Sequence, residues 1–216
     1  MNSDTILRRR DFVKNSIVAA SGLVAIVGAS RAIAMTPTKA DDFRAAMRKL
    51  WEDHITWTRL YIVSVAAGLP DKDVTAARLL QNQTDIGNAV KPYYGGVAGD
   101  SLTALLRAHI LGAAALLAAA KAQDHVGVQT ASAKWFANGD EIANFLSGAN
   151  PTAWPAGQMK AQMKMHLDLT LAEATDRLQG KYAADVQDYD RVHAHILGLA
   201  DVMSSGIISQ FPSTFS

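Results

Sequence analysis

Residues 100–122 read DSLTALLRAHILGAAALLAAAKA, and this stretch decides the fold class. Leu102, Leu105, Leu106, Ile110 and Leu117 recur at helical spacing, which gathers them on one face of a helix. Asp100 suits an N-cap, and alanine, the strongest helix former, fills most of the remaining positions. No alternating strand pattern occurs anywhere in the chain, and β-branched residues are not clustered. The expectation is therefore an all-α domain.

Working outward, glycine and proline divide the rest of the chain into helices of similar length. The spacing predicts a first helix from about Lys39 to Ala67, ended by Gly68-Leu69-Pro70. A second starts near Asp73 and stops before Pro92, with Tyr93-Tyr94-Gly95-Gly96 as the turn. The helix after Asp100 reaches about Ala122. A fourth runs from about Gly127 to Leu146, a fifth from Pro155 to Gly180, and a sixth from Tyr182 to Gln210, ended by Pro212. The six read as three repeated helical hairpins. Each odd-numbered helix carries a histidine before an aliphatic residue: His54-Ile55, His109-Ile110 and His166-Leu167, at intervals of 55 and 57 residues. Each even-numbered helix carries a polar, metal-capable residue before isoleucine: Asp85-Ile86, Glu141-Ile142 and His195-Ile196. Asn82 and Asn138 precede the first two of these by three residues.

The N-terminus has a separate character. Residues 8–14 read Arg8-Arg9-Arg10-Asp11-Phe12-Val13-Lys14. This resembles the twin-arginine export signal, with Arg9 and Arg10 as the arginine pair and Phe12 as the aromatic. A modestly apolar run from Ser16 to Ser30 follows, and then Ala32-Ile33-Ala34, an A-x-A cleavage site. The resemblance implies a cleaved signal peptide over 1–34, a partner in the twin-arginine translocation machinery engaged through residues 8–14, and a periplasmic or secreted domain over 35–216. The run falls short of the roughly 20 strongly apolar residues that a membrane span needs. The later run Ile110 to Ala120 is also too short, so no membrane span is expected after cleavage.

Five of the 21 basic residues and two of the 20 acidic residues lie in the first 34 positions. The remaining 182 residues are therefore slightly acidic, and the basic balance of the whole chain belongs to the leader. A basic stripe for nucleic acid is missing. The chain has no cysteine, which excludes disulfides, thiolate metal sites and cysteine nucleophiles. No Gly-x-Ser-x-Gly elbow and no strand-linked glycine-rich phosphate loop occur. No catalytic residue is expected.

The sharpest functional reading is a metal site. Imidazole and carboxylate together suit iron, zinc, copper or manganese, and helical bundles build such sites from inward-facing side chains. The candidate ligands are His54, Asp85, His109, Glu141, His166 and His195. Asp190-x-x-His193, Asn82-x-x-Asp85 and Asn138-x-x-Glu141 place further pairs one turn apart. His193 and His195, two apart, face different directions. His125, at a helix start, is expected to be exposed. Met159, Met163 and Met165 beside His166 offer a softer, copper-type set. Trp51 and Trp57 are expected in the core, with Asp53 or Glu52 pairing to Arg59 or Arg48. Two other readings use the same residues. In one, His and Asp pairs only lock the hairpins of a structural or interaction module. In the other, they form a di-metal carboxylate oxidase.

The stretches Leu50–Arg59, Arg78–Asn88 and Asn138–Ala143, with the terminal Gly206–Phe211, are similar to a family of small uncharacterised bacterial all-helical proteins. Some members of that family are labelled glycosyltransferases. The resemblance implies a helical domain and brings no catalytic residues. A sugar-nucleotide transferase needs an α/β nucleotide-binding domain, for which 182 helical residues leave no room.

Overall fold

The computed structural model describes residues 36–216. The stretch read as an export signal, residues 1–34, with its expected cleavage site, lies outside the described residues. The described residues fold as six α-helices: α1 (Lys39–Ala67), α2 (Lys72–Tyr94), α3 (Gly96–Lys121), α4 (His125–Ala149), α5 (Ala156–Leu178) and α6 (Tyr182–Gln210). No strand occurs among the described residues.

Local chemistry sets the ends. Thr38 caps α1 in a reciprocal box with Asp41, and Gly68 ends the helix in the left-handed region at φ 67°. Asp124 caps α4 by accepting from the Gly127 amide at 3.0 Å. Two boundaries differ from the sequence reading. Pro92 lies inside the last turn of α2, and α3 begins at Gly96, so Gly95 alone makes the turn. Near a C-terminus, Pro92 deprives only the Asn88 carbonyl of a partner, and Asn88 is exposed to water. Gly95, at φ 85°, supplies the backbone angle a one-residue reversal requires. Asp100 therefore sits within α3, paired to Lys91 at 2.7 Å.

Each helix packs against its neighbours in chain order, and α6 returns to α1, so the bundle closes on itself. Helix α1 also touches α3 and α5. The odd-numbered helices bury equivalent positions in layers. Met47, Leu102 and Met159 form one, and Trp51, Leu106 and Met163 the next; all six are buried. His54, His109 and His166 form the third, one helical turn further on. Helices α3 and α6 are long and apolar enough to cross a membrane, longer than the Ile110–Ala120 run alone suggests. In the bundle α3 packs on α2, α4 and α1, and α6 on α5 and α1.

The hairpins share a lock. The Asn82 side-chain amide donates to the Leu50 carbonyl at 3.0 Å, and the Asn138 amide donates to the Leu105 carbonyl at 3.3 Å. His195 Nε2 donates to the Gln162 carbonyl at 3.2 Å. Leu50, Leu105 and Gln162 each lie four residues before the layer histidine of their own helix. The true equivalent of Asn82 and Asn138 is thus His195, and the Asp85–Glu141–His195 alignment is corrected by three residues in its last member.

Close packing extends to the far end. A methyl group at Gly206 would overlap the buried Trp154 indole. Gly206→Ala is expected to destabilise the protein by about 1–3 kcal/mol through overpacking, measured by urea unfolding.

Candidate metal centre

The three layer histidines come from three different helices and are buried, with His54 2%, His109 3% and His166 4% exposed. Their ring centroids form a triangle of 6.4, 5.7 and 5.9 Å. One potential ligand atom from each lies within 4.8 Å of the other two. Equal ligands at that limit stand about 2.8 Å from a common centre, against about 2.1 Å for a bound imidazole nitrogen. Inward movement of about 0.7 Å per ring would close the site. A cavity of about 20 Å³ is lined by all three histidines. Its wall is otherwise apolar, from Trp51, Leu106 and Ile142 to Met163 and Met203.

The imidazoles are poorly satisfied. The Nδ1 atoms of His54, His109 and His166 have no hydrogen-bond partner, nor do Gln83 Oε1 and Asn138 Oδ1. Gln83 still raises the basicity of His54 somewhat, as Asn138 does for His109, so these amides stand close without reaching full hydrogen-bond geometry. Burial dominates. It pushes His54 down to about 3, helped by His109, and His109 down to about 4. Burial, with His54, His109 and His195 nearby, also takes His166 well below the usual histidine range. All three are neutral imidazoles at pH 7.

This has a pH consequence. The unfolded histidines titrate near 6.5 and bind more protons than the folded ones below that point. Their contribution to stability is complete above pH 6.5 and is lost as pH falls towards 3–4. Glu173 opposes it: burial raises its carboxyl to about 7, so the folded state holds one extra proton between the unfolded value near 4.5 and 7. The net difference is about two protons near pH 5–5.5 and shrinks to under about one by pH 6.5. Stability is expected to fall by roughly 3 kcal/mol per pH unit around pH 5–5.5, seen as a falling urea midpoint.

The other predicted residues lie elsewhere. Asp85 is half-exposed, accepts from Gln81 at 3.0 Å and faces Arg78 at 3.9 Å. Glu141 is exposed. Neither lines the histidine cavity. His195 stacks on His166 at 6.1 Å but is committed through Nε2 to Gln162. His193 meets Glu52 at 3.2 Å, Asp190 is exposed, and His125 is exposed as expected. Met159 and Met163 are buried, whereas Met165 is 53% exposed and stands apart.

Arg59 also departs from its expected pairing with Asp53 or Glu52. Its guanidinium forks onto Asp185 at 2.6 and 3.0 Å and reaches Glu173 at 2.8 Å. Asp53 takes Lys49, and Arg48 takes Asp201. Glu173 and Asp185 are almost fully buried. Burial favours a raised Asp185 carboxyl, but Arg59 and Arg177 outweigh it and hold the carboxyl low. Sequence spacing gave no signal for this network, whose members lie more than 100 residues from Arg59.

No protein-family model, curated protein or solved structure matches the chain. The chemistry of the site therefore rests on its own residues.

Proposed function

We propose that this protein is exported by the twin-arginine route and holds one transition-metal ion at His54, His109 and His166, for storage, sensing or sequestration rather than turnover. One observation carries the reading. Three imidazoles from three helices meet around one small cavity with their Nδ1 atoms unpaired, while the hairpins are locked by other residues, Asn82, Asn138 and His195. Histidines present only to pair the hairpins would make those locks themselves. An oxidase with two metals would need carboxylates at the centre, and Asp85 and Glu141 stand outside it. Neutral imidazoles are the form that binds a metal.

Elemental analysis of protein taken from the exported fraction tests the reading. The expected result is about one transition-metal ion per chain and a thermal shift when metal is returned to stripped protein. Sub-stoichiometric metal, with no shift on adding iron, zinc, copper or manganese, refutes it. Export has its own test. Arg9 and Arg10 replaced together by lysine should strand the precursor in the cytoplasm, and continued export would exclude that route.

A further inference from the structure

We infer that the ion held by His54, His109 and His166 is monovalent copper, with the Met163 thioether as its fourth, soft contact. The inference rests on the metal reading above and names the ion by three properties of the cavity.

The first is charge. Three neutral imidazoles bring no negative charge, and no carboxylate lines the cavity among the described residues. The cost of placing an ion in an apolar interior rises with the square of its charge, and is already severe for a single charge. A divalent ion in this wall is opposed about four times as strongly as a monovalent one. Divalent sites elsewhere offset that cost with carboxylate, thiolate or bound hydroxide. The chain has no cysteine.

The second is the wall. Zinc bound by three histidines keeps an open position for water or hydroxide, which would reduce its net charge. The wall here, apolar apart from the histidines, offers a hydroxide no hydrogen-bond partner. Monovalent copper has a filled d shell, imposes no fixed geometry and accepts three nitrogens without an added water.

The third is softness. Met163 lines the same cavity and is buried. It stands three residues before His166, one turn away on the same face of α5. A thioether is a soft ligand suited to monovalent copper, whereas manganese takes oxygen ligands and zinc sites are built from thiolate, imidazole and carboxylate. Met165, the neighbouring methionine, is exposed and takes no part.

The experiment is an anaerobic titration of the stripped, exported protein with monovalent copper against a chromophoric chelator, alongside a zinc titration of the same sample. One copper per chain is expected, bound at least about 100-fold more tightly than zinc. Met163→Leu, a volume-conserving change that the core tolerates, should weaken copper by about 10–100-fold and leave zinc affinity unchanged. X-ray absorption of the copper form should show three nitrogen neighbours and one sulfur. Zinc bound as tightly as copper, or Met163→Leu without effect on copper, would overturn the copper assignment while leaving the metal site standing. Failure of copper, zinc, iron and manganese alike would overturn both.

Discussion

His109→Leu is expected to abolish metal-induced stabilisation while leaving the metal-free protein at least as stable as before. With free metal at 1,000 times Kd, binding stabilises the native state by about 4 kcal/mol, and loss of one of three ligands removes most of it. The metal-free protein responds differently. His109 carries an unpaired Nδ1 in the core, which costs about 1–3 kcal/mol relative to a satisfied group. Leucine has no polar atom and fills similar space. It forfeits the stacking of His109 on Trp135, 5.3 Å between centroids, worth about 1 kcal/mol. The two terms cancel or favour leucine. A purely structural role predicts the reverse, a metal-free loss of about 1–3 kcal/mol with no metal effect to lose. Urea unfolding with and without metal separates these outcomes.

Arg59→Met is expected to destabilise the protein by about 3–5 kcal/mol, because it leaves buried Glu173 without its guanidinium partner and Asp185 with only the Arg177 contact at 3.4 Å. Asp185 is fully buried and Glu173 is 2% exposed. Arg59 ties α1 to both α5 and α6, so its loss should loosen the closure of the bundle. The pH dependence identifies the cause. In the native protein the Glu173 carboxyl already titrates near 7. Without Arg59, both folded carboxyls move higher, so the native state holds more protons than the unfolded chain across a wider window. Stability then falls more steeply as pH rises, and the variant should lose more at pH 8 than at pH 5. Adding Glu173→Gln and Asp185→Asn to Arg59→Met should recover most of the loss. A pH-independent deficit would mean that the arginine acts through its packing alone.

Sequence and structure agree best where the signal is local. The leucine periodicity of residues 100–122, the glycine breakers and the caps are properties of single helices, and all six helices could be read from them. The histidine recurrence at 55 and 57 residues was also legible, because equivalent positions in repeated hairpins face the same axis. The second recurrence was misread at its last member. His195-Ile196 imitates the polar-isoleucine pairs Asp85-Ile86 and Glu141-Ile142, but the hydrogen bonds align His195 with Asn82 and Asn138. A dipeptide match cannot distinguish two registers three residues apart on a helix, because both put a polar residue near the same face. A carbonyl acceptor on the neighbouring helix does. The Arg59 network was illegible for another reason. Its partners lie on helices brought together only when α5 and α6 close the bundle against α1. The unpaired Nδ1 atoms and the size of the cavity likewise belong to side-chain packing, which no spacing rule encodes.

The central claim is that His54, His109 and His166 act together on one ion. Nitrogen-15 NMR of the imidazole side chains during titration of metal into stripped protein tests it most directly. The account predicts that these three rings shift together and saturate at one equivalent of metal. His125 and His193 should stay unchanged until excess is added, and His195 should keep its proton on Nε2. Shifts that begin at His125 and His193, with the three buried rings unmoved through one equivalent, would contradict it.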